Sequence, residues 1–149
     1  IKEYGFELGL QIMTGLYGDN DSSAIESARK IIQIKPQTVR IYPTIVLKDT
    51  YLAALYADKL YSPQTLEGAI ELASRLYEMF TESGIKVIRL GLHTISEEHY
   101  VAGPWHPAFS EMVYSEIYLN NARKTFAKMP FGEYNVYVPV GDISMLRVS

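Results

Sequence analysis

Three polar side chains lie on segments that read as β-strands and could together bind an anion. Arg40, Tyr42 and Arg89 alternate with apolar residues, so they would point to one face of a sheet if the strands pair in register. A charged side chain facing into a fold is seldom buried without a partner, and a guanidinium fits carboxylates and phosphates. The pattern therefore indicates an anionic ligand. An arginine at a strand end, paired with a local glutamate, stays open as the alternative.

A glycine-containing turn is the second candidate site. Gly15 and Gly18 stand after a predicted strand and before a predicted helix, where free backbone amides can receive an anion or a carboxylate. The spacing is neither a P-loop nor a full dinucleotide fingerprint. An ordinary tight turn between a strand and a helix is the commoner use of this pattern.

Histidines and acidic residues between residues 93 and 106 invite a metal hypothesis, which the spacing does not favour. His93, His99 and His106 form no His-x-x-x-His pair, and the segment around them is predicted to be a loop. We predict no metal site, and we expect His106 to cap the last helix. No catalytic triad, paired carboxylates or nucleophile elbow stands out, so a self-contained hydrolase is not indicated, and the catalytic residues are unknown.

Composition describes an ordinary globular domain. The chain has 149 residues, 48% of them hydrophobic and 21% charged, with a net charge of −3. It lacks the basic surface of a nucleic-acid-binding protein, an apolar run long enough for a membrane span, and a signal peptide, so we expect a cytoplasmic protein. The absence of cysteine excludes disulfides and thiolate metal sites.

Periodicity predicts an α/β fold with three parallel strands. Residues 5–13, 39–42 and 85–92 read as strands, and helices are expected between them and again from Phe109 to about Asn120. The helix at 63–83 has the clearest apolar stripe, and Ser23 with Glu26 predicts a capping box for the preceding one. Strand, helix, strand units of this kind favour parallel, right-handed connections. The alternating residues 134–140 are predicted to form a further, late strand at a sheet edge.

Several of these segments also resemble a known enzyme family. The sequences IYPT (41–44), TYL (50–52) and YSP (61–63) are similar to radical-SAM enzymes of the Elongator catalytic-subunit type. GLQIMTGLYGD (9–19) and GLHTISEEHYVAGPWHPAF (91–109) resemble bacterial relatives named oxygen-independent coproporphyrinogen III oxidase-like proteins. The resemblance runs from about Gly5 to Ile117. Its joint order is more specific than any one motif.

The resemblance implies a fragment of a TIM-like radical-SAM barrel, with parallel strands, outer helices and a small C-terminal β addition. Residues 1–122 would be the C-terminal half of the barrel, and residues 123–149 an extension with one or two strands. Because the family's three-cysteine motif lies upstream, the longer parent protein would hold S-adenosylmethionine and a [4Fe–4S] cluster, whereas neither is expected in the fragment. In the family, the residue at the place of Gln11 faces the cofactor. In coproporphyrinogen III oxidases proper it is an aspartate, and Tyr17 also replaces a usual proline.

Two functions stay open at this point. In the first, Gln11, Gly15, Gly18, Arg40, Tyr42 and Arg89 line the cofactor site of a radical-SAM oxidoreductase that acts on a porphyrin, tRNA or another substrate. In the second, the chain is a non-catalytic α/β module that holds an anionic small molecule around Gln11, Arg40, Tyr42 and Arg89. The expected partner is the N-terminal half of the same barrel, and an exposed sheet edge would also permit a homodimer.

Overall fold

The computed structural model describes residues 4–93, 95–141 and 143. The elements follow the order predicted for an α/β protein, with two short strands added. In chain order they are β1 (Gly9–Thr14), α1 (Asp21–Ile34), β2 (Thr38–Pro43), β3 (Val46–Leu47), α2 (Tyr51–Ala57), α3 (Leu66–Glu82), β4 (Lys86–Leu90), β5 (Tyr100–Ala102) and α4 (Phe109–Phe126).

The three longer strands form one parallel sheet in the order β1, β2, β4. The predicted shared sheet is thereby confirmed, although β1 and β4 are shorter than predicted and β2 extends one residue further at each end. The first strand begins at Gly9 rather than at residue 5, and the third ends at Leu90. Within the described residues, β1 and β4 each have one edge that pairs with no other strand.

Helices cover one face of this sheet. Ile12, Ile41 and Leu90 point from the three strands into a single core with apolar residues of α1, α3 and α4. The stripe of α3 is buried as its spacing predicted, and Leu76 and Phe80 are completely enclosed. The opposite face is more open, since Gln11 and Met13 on β1 and Ile88 on β4 are exposed. Any ligand site on the sheet therefore belongs to this open face.

The start of α1 differs from its prediction. Asn20 is the N-cap, and its side chain accepts a hydrogen bond from the backbone N–H of Ser23 at 3.1 Å. The Ser23 hydroxyl accepts in return from the Asn20 backbone N–H, so Ser23 is the third helical residue and not the cap. Asparagine caps as well as serine, and it stands three residues earlier. Helix α2 has Thr50 as its N-cap, whose hydroxyl accepts from the Ala53 backbone N–H.

A two-stranded antiparallel sheet joins segments that the sequence placed in loops. Val46 pairs with Ala102 and Leu47 with Tyr100. The predicted irregular segment between His93 and Pro107 thus contains β5, which pairs with β3, the short strand that follows β2. Strands this short carry too few residues to produce a periodic pattern.

The C-terminal part corrects two predictions. Helix α4 continues to Phe126, beyond the end expected at Asn120 or Asn121, because the Asn120 amide donates to Glu116 within the helix. The strand predicted at 134–140 is wrong, since the structure has no strand among its described residues after α4. Tyr134 instead packs on Phe126 and donates its hydroxyl hydrogen to the Pro130 carbonyl. The predicted division after residue 122 falls within α4 and stays a prediction.

None of the helices in residues 4–93, 95–141 and 143 is both long enough and apolar enough to span a membrane.

Candidate functional site

A row of three polar residues crosses the open face of the sheet. Gln11 on β1 is in register with Arg40 on β2, and Arg40 is in register with Arg89 on β4. Register partners in a parallel sheet point to the same side, so the three side chains lie next to one another. The predicted common face for Arg40 and Arg89 is therefore present, with Gln11 at its β1 end.

A β-bulge places Arg89 in this row. Val39 pairs with Val87, whereas Arg40 pairs with Arg89, so the register skips Ile88. Without the skip, Arg89 would stand opposite Ile41 and point into the core. The bulge lets both Val87 and Leu90 pack against the core cluster while Arg89 faces the other side.

The row concentrates positive charge. Arg40 and Arg89 are directly opposite each other on neighbouring strands, which are typically about 4.8 Å apart. Neither arginine forms an ion pair with any residue that the structure describes, so the alternative of a local glutamate partner finds no support there. Like charges in such a pair destabilise a sheet. An anion between them would remove that cost.

His93 extends the row beyond the end of β4. Its Nδ1 lies 2.7 Å from Nη2 of Arg89. Because a guanidinium can only donate, Nδ1 must be the acceptor, and the ring hydrogen of a neutral His93 is then on Nε2. This contact orients the Arg89 side chain, yet the Arg89 Nε is buried without a hydrogen-bond partner among the described residues.

An apolar cavity of about 370 Å³ opens at the carboxyl ends of these strands. Tyr42 is in register with Met13, one row beyond the arginines, and Met13 forms part of the cavity wall. Thr44 also lines it and is only 5% exposed, and its hydroxyl has no partner among the described residues. The complete lining is Met13, Pro43, Thr44, Ile45, Leu47, Leu92, His93 and Ile95. Carboxyl ends of parallel strands are the usual position of ligand sites in α/β folds.

The glycine turn lies at the same end of β1 and lines a second cavity of about 380 Å³. Gly15 has a φ of +70°, and a Cβ there would come within 2.7 Å of the Gln64 side chain. The Tyr61 hydroxyl donates to the Gly15 carbonyl at 2.6 Å, which ties the turn to the segment before α3. A larger residue at Gly15 would break this packing.

Anion binding at this turn has a competitor in the chain itself. Asp19 and Asp21 stand at the beginning of α1 and line the same cavity, so their carboxylates already occupy the positive end of the helix dipole. The backbone N–H of Ser23 is used by the Asn20 cap. Gly15 and Gly18 line this cavity, whereas Gln11, Arg40 and Arg89 do not, and the role of the two glycines in binding stays a prediction.

Several residues of the site escaped the sequence analysis. Tyr61 and Thr44 stand within the YSP and IYPT segments, and no local pattern indicates that Tyr61 reaches Gly15. The sequence places His93 in one segment with His99 and His106, but in the structure its partner is Arg89. The cap expected of His106 is wrong, because α4 has no side-chain cap hydrogen bond and its N-cap residue is Ala108; the Nδ1 of His106 accepts from the backbone N–H of Ala108 itself, at 3.1 Å. Periodic patterns in the sequence do not reveal contacts between residues that are far apart in the chain.

Residues 36–118 match the Radical_SAM C-terminal domain family. The match spans more than half of the chain and includes β2, the bulged β4 and most of α4. The chain belongs to this family. The resemblance to radical-SAM proteins is thereby confirmed at the family level, and the α/β fold with a parallel sheet agrees with it. No curated protein matches the chain.

The family implies S-adenosylmethionine and a [4Fe–4S] cluster in the enzymes that contain this domain. The chain has no cysteine, and the described residues contain no group of three or more His, Asp or Glu side chains placed to hold a metal ion. Its residues therefore do not fit an iron–sulfur cluster, which thiolates hold. They do fit a carboxylate or another anion, because neither Arg40 nor Arg89 has an acidic partner within the described part.

Proposed function

We propose that this Radical_SAM C-terminal domain forms part of the barrel wall of a longer radical-SAM oxidoreductase, around S-adenosylmethionine and the substrate. The single observation that carries the proposal is the row of Gln11, Arg40 and Arg89 on the open face of a parallel sheet, in a chain of this family. In a closed barrel that face is the interior. Polar groups there would meet a ligand rather than solvent.

The cluster would be bound by cysteines of the rest of the parent protein, since this chain offers none. The N-terminal half of the barrel is thus the proposed partner, and it would pair with an edge of the sheet formed by β1, β2 and β4. The finer assignment, to Elongator-like or coproporphyrinogen III oxidase-like proteins, rests on the motif resemblance alone. Among the proposed substrates are a porphyrin and tRNA. The cytoplasmic location and the homodimer stay predictions.

A direct test uses the full-length product of the gene. We expect a three-cysteine motif upstream of Ile1, an iron–sulfur absorption band after anaerobic reconstitution, and release of methionine from S-adenosylmethionine on reduction. A matched protein with the three cysteines replaced by serine should lose both the absorption band and the methionine release. A full-length product without such a motif would end the proposal.

The lack of an acidic partner for Arg40 and Arg89 in the described residues also favours the second candidate, a module that binds an anion without catalysis. Calorimetric titrations with S-adenosylmethionine, a porphyrin and phosphate separate the two functions. Binding to the 149-residue chain alone, with no cluster in the full-length protein, would support the module. Binding that requires the full-length protein would support the barrel wall, because half of a barrel supplies only one wall of an internal site.

A further inference from the structure

The apolar cavity adjoins the arginine row at His93, although Gln11, Arg40 and Arg89 do not themselves line it. His93 lines the cavity, and its Nδ1 contacts the Arg89 guanidinium at 2.7 Å. Met13 also lines the cavity, and it lies two residues along β1 from Gln11, at the other end of the row. A ligand that fills the cavity would therefore reach the arginines with one end.

The wall of the cavity selects against a positively charged occupant. Its side chains are mostly aliphatic, with Ile45, Leu47, Leu92 and Ile95 among them, and none is acidic. Moving a sulfonium or an ammonium group from water to such a wall has a large desolvation cost and no compensating ion pair. An uncharged apolar body is favoured there by the hydrophobic effect. The cavity volume of about 370 Å³ is in the range of small-molecule sites.

Two buried polar atoms next to this wall lack partners within the described residues. The Thr44 hydroxyl is enclosed, and the Arg89 Nε is buried as well. A buried donor without an acceptor is costly, and most such groups in proteins are paired. An oxygen of a bound ligand would satisfy either group.

The charge arrangement defines the other end of the ligand. Arg40 and Arg89 are opposite each other, and neither has an acidic partner in the described chain. Guanidinium groups bind carboxylates and phosphates through paired N–H donors. An oxyanion between the two side chains would offset their mutual repulsion.

We propose that the substrate of the parent enzyme has an uncharged apolar body that fills the Met13, Leu47, Leu92 and Ile95 cavity, and an oxyanion that binds Arg40 and Arg89. This inference rests on the proposed function, because it assigns the cavity to the substrate rather than to the positively charged S-adenosylmethionine. The shared chemistry is that of an apolar carboxylic acid or an apolar phosphate ester. Thr44 contributes one hydrogen bond to the same ligand.

The test is a calorimetric titration of the full-length gene product with three matched probes: decanoate, decyl phosphate and decanol. We expect at least one of the two anionic probes to bind more tightly than decanol, and their order identifies the oxyanion. The Arg89→Gln variant should weaken that anionic probe about tenfold to a hundredfold, the usual effect of a lost charge-assisted hydrogen bond, and leave decanol unchanged. Arg75→Gln, on the exposed side of α3, is the matched control and should leave all three affinities as they were.

Two further variants keep the test decisive. If Arg89→Gln fails to fold, Arg40→Gln removes the neighbouring charge of the same pair and should weaken the anionic probe in the same way. Leu92→Asn should weaken decanoate and decanol together, because it makes the cavity wall polar. Equal affinities for decanol and the two anions, or an anion affinity that Arg40→Gln and Arg89→Gln both leave intact, would overturn the inference. Cluster content and methionine release are measured on the same samples, so a failure of the proposed function is recognised separately.

Discussion

Tyr61 makes the contact that joins the glycine turn to the segment before α3. It is 8% exposed, and its hydroxyl donates to the Gly15 carbonyl at 2.6 Å. We expect Tyr61→Phe to lower the free energy of unfolding by about 1 kcal/mol, because the carbonyl loses its donor in a partly buried place. Urea denaturation followed by circular dichroism measures the change. Tyr51→Phe, at a residue that is 79% exposed, is the control; an equal loss in both variants would contradict this role.

Two tyrosines, the buried Tyr61 and the half-buried Tyr114, predict a loss of stability at alkaline pH. Burial raises the pKa of Tyr61 above its ordinary value of 10.0. The pKa of Tyr114 is raised by burial first, and then by the charge and hydrogen bond of Tyr77 and the charge of Glu111. The folded protein therefore keeps protons that the unfolded chain releases near pH 10.0, so the unfolded state binds fewer protons there. It follows that the free energy of unfolding falls as the pH rises through this range and is unaffected by these groups below it.

The measurement is a series of urea denaturations between about pH 8 and about pH 11, around the ordinary tyrosine pKa. The double variant Tyr61→Phe/Tyr114→Phe should give a flatter decline than the unchanged protein. A decline of the same slope in both would assign the alkaline sensitivity to other groups.

At the scale of elements, the junction between β4 and α4 depends on a glycine. Gly91 has a φ of +76°, and a Cβ added there would lie 2.8 Å from Cδ1 of Phe109, a buried residue at the start of α4. Gly91→Ala is therefore expected to cost more than the roughly 1 kcal/mol of backbone strain, because the aromatic ring must also shift. Thermal denaturation would show a lowered melting temperature.

The Gly18→Ala variant separates the cost of backbone strain from the cost of the contact with Phe109. Gly18 has nearly the same φ, +77°, but a Cβ there would meet no atom within 4 Å. This control should show only the cost of backbone strain. If both variants lost the same stability, packing of Phe109 on Gly91 would contribute nothing.

For the molecule as a whole, the proposed barrel predicts which strands gain protection from hydrogen exchange. In the 149-residue chain, β1 and β4 each have an edge without a partner in the described residues, whereas β2 is paired on both sides. We expect slow exchange in β2 and faster exchange in the peptides that cover β1 and β4. In the full-length gene product, at least one of these two strands should become as protected as β2, because a neighbouring strand would bind its free N–H groups.

Mass spectrometry of exchanged peptides makes this comparison in both forms of the protein. The helix α3, buried in the core of either form, is the internal reference for global unfolding. Identical exchange of β1 and β4 in the two forms would mean that no strand is added at either edge, against a continuous barrel.

Much of the fold could be predicted from the sequence, because local periodicity sets both the type of each element and the side that it buries. The stripe of α3 lies in the core as its spacing indicated. Alternation along β2 correctly placed Arg40 on the face of the sheet that faces away from the buried Val39 and Ile41. Parallel pairing followed from the strand, helix, strand order, since such connections have one common geometry. The motif resemblance added the family, which periodicity could not provide.

Other features were decided only by the tertiary structure. In β4, strict alternation that starts from the buried Leu90 puts Arg89 on the open face, as observed. Strict alternation that starts from Val87 would instead put Ile88 on the open face, in register with Arg40. Only the packing of both Val87 and Leu90 in the core creates the bulge that settles the register. The pairing of β3 with β5 and the contact of Tyr61 with Gly15 join residues more than forty positions apart. In the tail, 134–140 alternates like a strand yet forms none, because a strand requires a partner for its backbone hydrogen bonds and a pattern in the sequence cannot supply one.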